Sequence, residues 1–168
     1  IDLALVQNSY ATSKYIITLE WAGGGGIVPE DLDIHLYAPD VTDDGGSPYD
    51  ECAFSDGVVG ATTCHIKYNK KGDNDGTLDN QPFAGLDNDE KFGYGPETLA
   101  IWNNGSGTPK SNKTYTLSIN NYSSDPNGDN DNTVLTDSAA IVKVYEGDSS
   151  GSITLLETVT VPTTGTGD

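Results

Sequence analysis

Residues 85–99, GLDNDEKFGYGPETL, hold the densest set of side chains able to do chemistry. Asp87 and Asp89 stand two apart, so an extended or turning backbone aims both carboxylates at one point. Gly93, Gly95 and Pro96 turn the chain, with the glycines leaving that point open, and Glu97 arrives as the apolar alternation of Leu99 and Ile101 begins. Oxygen donors on a bending loop suit a hard cation, since calcium takes roughly six to eight oxygen ligands from carboxylates and backbone carbonyls. The plainer alternative is an acidic loop facing water.

A second stretch must come to the same place for a cation site to be complete. In DLDIHLY at 31–37, Leu32, Ile34 and Leu36 fall on one strand face and Asp31, Asp33 and His35 on the other, so two carboxylates project together. Trp21, DLDIHLY, LDNDEKFGYGPE at 86–97 and YTLSINNY at 115–122 together resemble a group of bacterial β-sandwich domains. The signature of that group runs W, DLDLH, LDxDxxxGxGPE and then a YxLxVxxY strand. The resemblance spans most of 21–144, and within the group the chain is most similar to the calcium-dependent peptide-binding domains near the ends of long bacterial RTX adhesins.

That resemblance implies a bound calcium with one coordination position left for a ligand. It places the cation on Asp31, Asp33, Asp87, Asp89 and Glu97. The implied partner is a short peptide or protein C-terminus on a host or neighbouring cell surface, whose free carboxylate is a natural hard-cation ligand. Nearness to the motifs makes Tyr68, Asn69, Gly93, Tyr94, Gly95 and Trp102 the candidate ligand contacts. It also implies an extracellular setting, as a monomeric module within a larger secreted adhesin on the bacterial surface. Two other binding-protein readings stay open: a calcium-dependent carbohydrate-binding module, and a structural extender of an adhesin stalk.

Charge supports cations and opposes anionic partners. Twenty-six acidic residues face eight basic ones, for a formal net charge of −18. Nucleic acid and anionic membrane would be repelled. Self-repulsion also opposes the compact state, and bound divalent cations offset it. A halophile's acidic surface would also give this charge, but it predicts dispersed acids, and these are bunched.

Two further bunches, Asp73, Asp75 and Asp79 in DNDGTLDN, and Asp125, Asn127, Asp129 and Asp131 in DPNGDNDN, are compatible with calcium loops and with solvated turns alike. The first has Ala84 where an EF-hand needs its bidentate glutamate.

Strand patterns predict the scaffold that positions these groups. KYIITLEWA at 14–22, residues 31–38, 51–55, 62–69, 98–103, 113–121, 139–146 and 153–161 read as strands, and no stretch reads as an amphipathic helix. The expected fold is an all-β antiparallel sandwich of about seven to nine strands with long calcium-binding loops, forming one domain over 1–168. Residues 1–13 and 162–168 read as linker ends of a module from a longer chain, and 70–85 reads as a long functional loop. The expected core is Leu19, Trp21, Ile34, Leu36, Ile101, Leu117, Ile119, Val142 and Val144.

Cys52 and Cys64, with eleven residues between them, suit a bridge across a hairpin in an oxidising compartment, the alternative being two buried thiols. Catalysis is the weaker reading. Asp33 and Glu97 could pose as a glycosidase pair, with Tyr37, Tyr94 and Trp102 as flanking aromatics. Against this, His35 and His65 lack a triad context. No run is long enough to insert into a membrane.

Overall fold

Alternating apolar side chains need a facing layer to bury them, and this chain supplies it with a second sheet. The computed structural model describes residues 13–21, 29, 31–39, 41, 52–54, 62–72, 83–90, 95–102, 113–122, 135–148 and 150–162. They form β1 (Ser13–Glu20), β2 (Leu32–Pro39), β3 (Ala53–Phe54), β4 (Thr63–Ile66), β5 (Ala84–Leu86), β6 (Glu97–Trp102), β7 (Thr116–Asn121), β8 (Ile141–Gly147) and β9 (Ile153–Thr160). One turn of 3-10 helix, Leu135–Asp137, is the only helical element among the described residues beyond the single position Tyr122.

The strands make two antiparallel sheets, one ordered β5-β6-β1-β8-β9 and the other β3-β4-β2-β7. This is the β-sandwich that the strand patterns predict. Leu32, Ile34 and Leu36 of β2 share one core with Ile17 and Leu19 of β1, Leu86 of β5, and Leu99 and Ile101 of β6. Each such side chain, fully buried, contributes roughly 1.5–3 kcal/mol. Leu117, Ile119 and Val144 pack against that core while only partly buried.

The larger sheet is covered on both faces at its centre. On β1, Ile16 and Thr18 are as buried as Ile17 and Leu19. Ala100 and Trp102 form a second apolar layer there, with Phe83 packed against them. Such two-sided burial is the reason a strict in/out alternation is not seen along β1.

Three expectations need correction. The described ends of the expected 70–85 loop are paired, with 73–82 outside the described residues: Gly72 bridges to Gly85, the Leu86 N–H donates to the Lys71 carbonyl at 2.8 Å, and Ala84–Leu86 form β5. Gly72 has φ +73°, and a Cβ there would sit 2.3 Å from the Ala84 carbonyl oxygen, so only glycine fits this approach. The strand expected at 62–69 stops at Ile66, because Lys67 and Lys70 exchange two 2.9 Å backbone hydrogen bonds and put Tyr68 and Asn69 at a turn tip. Of the strand expected at 51–55, the described residues show Ala53–Phe54, with Cys52 outside it.

Cys52 and Cys64 are disulfide-bonded, with Cα atoms 5.2 Å apart. The bridge fastens the entry to β3 onto β4, where Phe54 pairs with Cys64. Residues 1–12 and 163–168, most of the expected linker ends, lie outside the described residues, as do Asp73, Asp75, Asp79, Asp125, Asn127, Asp129, Asp131, Gly93 and Tyr94.

Candidate metal centre

The site begins with a gap in strand pairing. β2 pairs with β7 from Leu32 to Tyr37 but with β4 only from Leu36 to Pro39. The first half of β2 therefore has backbone groups that β4 does not reach. Glu97 opens β6 in register with Leu19, which points its side chain into the space between the sheets. Its Oε2 accepts the Ile34 N–H at 2.7 Å, and its Oε1 accepts the Glu90 N–H at 3.3 Å. One carboxylate thus joins the two sheets and the loop that follows β5.

Asp33 and Asp89 complete the group. Asp33, Asp89 and Glu97 each offer an oxygen, and the three oxygens lie within 4.8 Å of one another. Two ligand oxygens on opposite sides of a calcium ion, with bonds of about 2.4 Å, are themselves about 4.8 Å apart, so the trio fits inside one coordination sphere. Glu97 is fully buried and Asp33 is 3 % exposed. Burial pushes the Glu97 carboxyl up to about 8; the Ile34 and Glu90 N–H groups pull against this, while Asp33 and Asp89 add to it. This cluster can hold a metal ion, whose positive charge would stabilise the ionised form that burial opposes.

The other predicted ligands lie apart from the trio. Asp31 and Asp87 are not members of the group within 4.8 Å. The Asp31 carbonyl accepts the Tyr122 N–H at 3.0 Å. Asp87 is half-buried, its carboxyl raised by burial and lowered by Lys71, and its N–H donates to the Thr98 carbonyl at 2.9 Å.

Two expected ligand contacts are corrected. Trp102 is 2 % exposed beneath the outer layer with Phe83, so it cannot face a ligand or flank a catalytic cleft. Gly95 is not an open approach to a cation. A Cβ there would stand 2.7 Å from Cζ3 of Trp21 and 2.9 Å from the Leu19 carbonyl oxygen, so the bare backbone packs onto the indole. The Gly95–Pro96 bond is cis and Gly95 has φ +68°. Tyr68 is half-buried, with its ring 5.9 Å from that of Tyr122, and Asn69 is exposed.

Register on the smaller sheet brings together two groups whose contact was not visible in the sequence. His65 lies opposite Tyr37 and diagonal to His35 on one face. His35 Nδ1 and His65 Nε2 are 3.2 Å apart, and the Tyr37 ring stacks on His65 at 4.3 Å. Burial, then His65 and Lys67, lower His35 to about 4; burial and Lys67 lower His65. With this geometry established, comparison with protein-family models, curated proteins and solved structures gives no match.

Proposed function

We propose that this chain is a calcium-dependent binding module of a bacterial surface adhesin, with the cation held by Asp33, Asp89 and Glu97 and the C-terminal end of a target surface protein as its ligand. The observation that carries the reading is the meeting of those three carboxylates between the sheets, Asp33 standing more than fifty residues before Asp89 and Glu97 in the chain. Three acids held that close repel one another and lose hydration unless a cation compensates them. Calcium is the cation proposed because every donor is a hard oxygen and no His or Cys joins the group. The RTX-adhesin resemblance supplies the partner, and the Cys52–Cys64 bridge is in keeping with an extracellular setting. The action proposed is binding without catalysis.

A free chain-terminal carboxylate can complete the cation's shell with a charge-assisted contact that a neutral amide cannot copy. The test is a panel of peptides with free and amidated ends, measured with calcium and with a chelator. Binding should need both calcium and the free carboxylate, with amidation costing about 1.5–3 kcal/mol. Binding that survives amidation or chelation refutes the anchor. Sugars that bind where no peptide does would make the chain a calcium-dependent lectin, and calcium stabilisation with neither ligand would make it a stalk extender.

A further inference from the structure

On the smaller sheet, the pairing of Tyr37 with His65 sets His35 and His65 diagonally on the same face, outside the carboxylate group. The two rings meet edge to face, with centroids 4.9 Å apart and planes 64° to each other. The stacked Tyr37 ring, 15° from parallel, fixes the plane of His65. We propose that His35 Nδ1 and His65 Nε2 form a two-imidazole chelate for a borderline divalent transition metal such as Zn2+, a second cation site distinct from the carboxylate cluster.

The geometry suits that chemistry. Zinc–nitrogen bonds are about 2.0–2.1 Å, so two nitrogens at the observed 3.2 Å separation subtend an angle of about 100° at a shared ion, near the tetrahedral value. Imidazole is the ligand that divides borderline metals from calcium, which prefers oxygen. Water or a ligand's own donor would fill the remaining positions.

A hydrogen bond between the rings is the alternative account of the 3.2 Å contact. It requires a proton on one of the two facing nitrogens, whereas the buried His35 Nε2 has no partner in the hydrogen-bonded or the metal-bound form and does not choose between them. The metal-bound form has no proton on either facing nitrogen. Binding therefore moves one proton, through solvent, from a facing nitrogen to the far nitrogen of the same ring, with both rings remaining neutral. Lys67, whose charge acts on both imidazoles, works against the ion, and the net charge of −18 works for it.

The experiment titrates Zn2+ into protein labelled with nitrogen-15 at histidine, saturated with calcium throughout to occupy the carboxylates, and observes the imidazole nitrogens by NMR. Both facing nitrogens should shift together and saturate at one equivalent. Zn2+ affinity should fall roughly tenfold or more in His65→Asn, whose calcium affinity should match wild type. Nitrogens that do not move, a shift that never saturates, Zn2+ that displaces calcium one for one, or an unchanged Zn2+ affinity in His65→Asn would each overturn the site. Should His65→Asn fail to fold, the wild-type titration alone decides. The proposal does not depend on what the carboxylate cluster binds.

Discussion

Glu97 and Asp148 are both acids on a strongly acidic chain, and their surroundings are opposite. Asp148 sits exposed at the β8–β9 turn, where its Oδ1 accepts the Ser150 N–H at 2.8 Å, the Ser150 hydroxyl at 2.6 Å and the Ser152 N–H at 3.0 Å. Those donors, the Ser150 hydroxyl first, hold its carboxyl below the usual range. Glu97 also has two N–H donors, but it is fully buried and shares its space with Asp33 and Asp89. A count of acidic residues cannot separate these cases. What separates them is burial without enough positive partners, which leaves Glu97 with a deficit that a cation can fill and Asp148 with none.

The largest expected effect tests that deficit directly. With divalent ions chelated, the Glu97 carboxyl lies near 8 in the fold against an ordinary 4.5, so the folded chain keeps a proton that the unfolded chain releases. Stability should be fullest below the ordinary value and should fall by about 1.4 kcal/mol per pH unit as the pH rises towards the folded value. Urea melts between about pH 5 and pH 8 should show this slope for wild type relative to Glu97→Gln, the neutral isostere. Parallel pH profiles for the two proteins would erase the contrast with Asp148.

Next in size is the cation itself. Calcium at a hundred times its dissociation constant adds about 2.7 kcal/mol for one site, a rise in Tm of roughly 5–10 °C for a chain of this size. Glu97→Gln should lose most of that rise. An identical thermal melt in calcium and in chelator would remove calcium from the account of the cluster. A smaller effect compares single acids by calorimetric titration: Asp89→Asn should weaken calcium by roughly tenfold or more, while Asp148→Asn leaves it unchanged. Equal losses in both would mean that only the general negative field matters.

The smallest effect belongs to the turn. Because the folded pKa of Asp148 is lowered from 3.8, its contribution is present above that value and lost as pH falls through the folded pKa. Asp148→Ala should therefore speed amide exchange at Ser150 and Ser152 at neutral pH, with the gap from wild type closing in acid. A gap that persists in acid would assign the turn to its backbone rather than to the carboxylate.

The sequence was most readable where one apolar stripe meets one core. β2 and β8 carry that signal, and so do the two motifs that meet at Asp33, Asp89 and Glu97. β5 was hidden because Ala84, Gly85 and Leu86 have no alternation; its partner β6 makes it a strand. The depth of Trp102 was also missed. The adjacent Ile16 and Ile17, buried on opposite faces of β1, were the available clue that the larger sheet is covered twice. Asp31 and Asp87 share the spacing of their neighbours, and only the meeting of β2, β6 and the loop after β5 separates them from the trio. The contact of His35 with His65 depends on cross-strand register, which one chain's pattern does not encode.

The disulfide carries a consequence for what a protease can achieve. Cys52 and Cys64 close a covalent ring that includes β3, whose Ala53 and Phe54 pair with His65 and Cys64. Cutting any one peptide bond inside that ring adds one water to the mass and releases nothing. The two fragments would migrate as one species on a non-reducing gel and part only when a thiol is added, so digestion in an oxidising medium would look like resistance even after the backbone had been nicked.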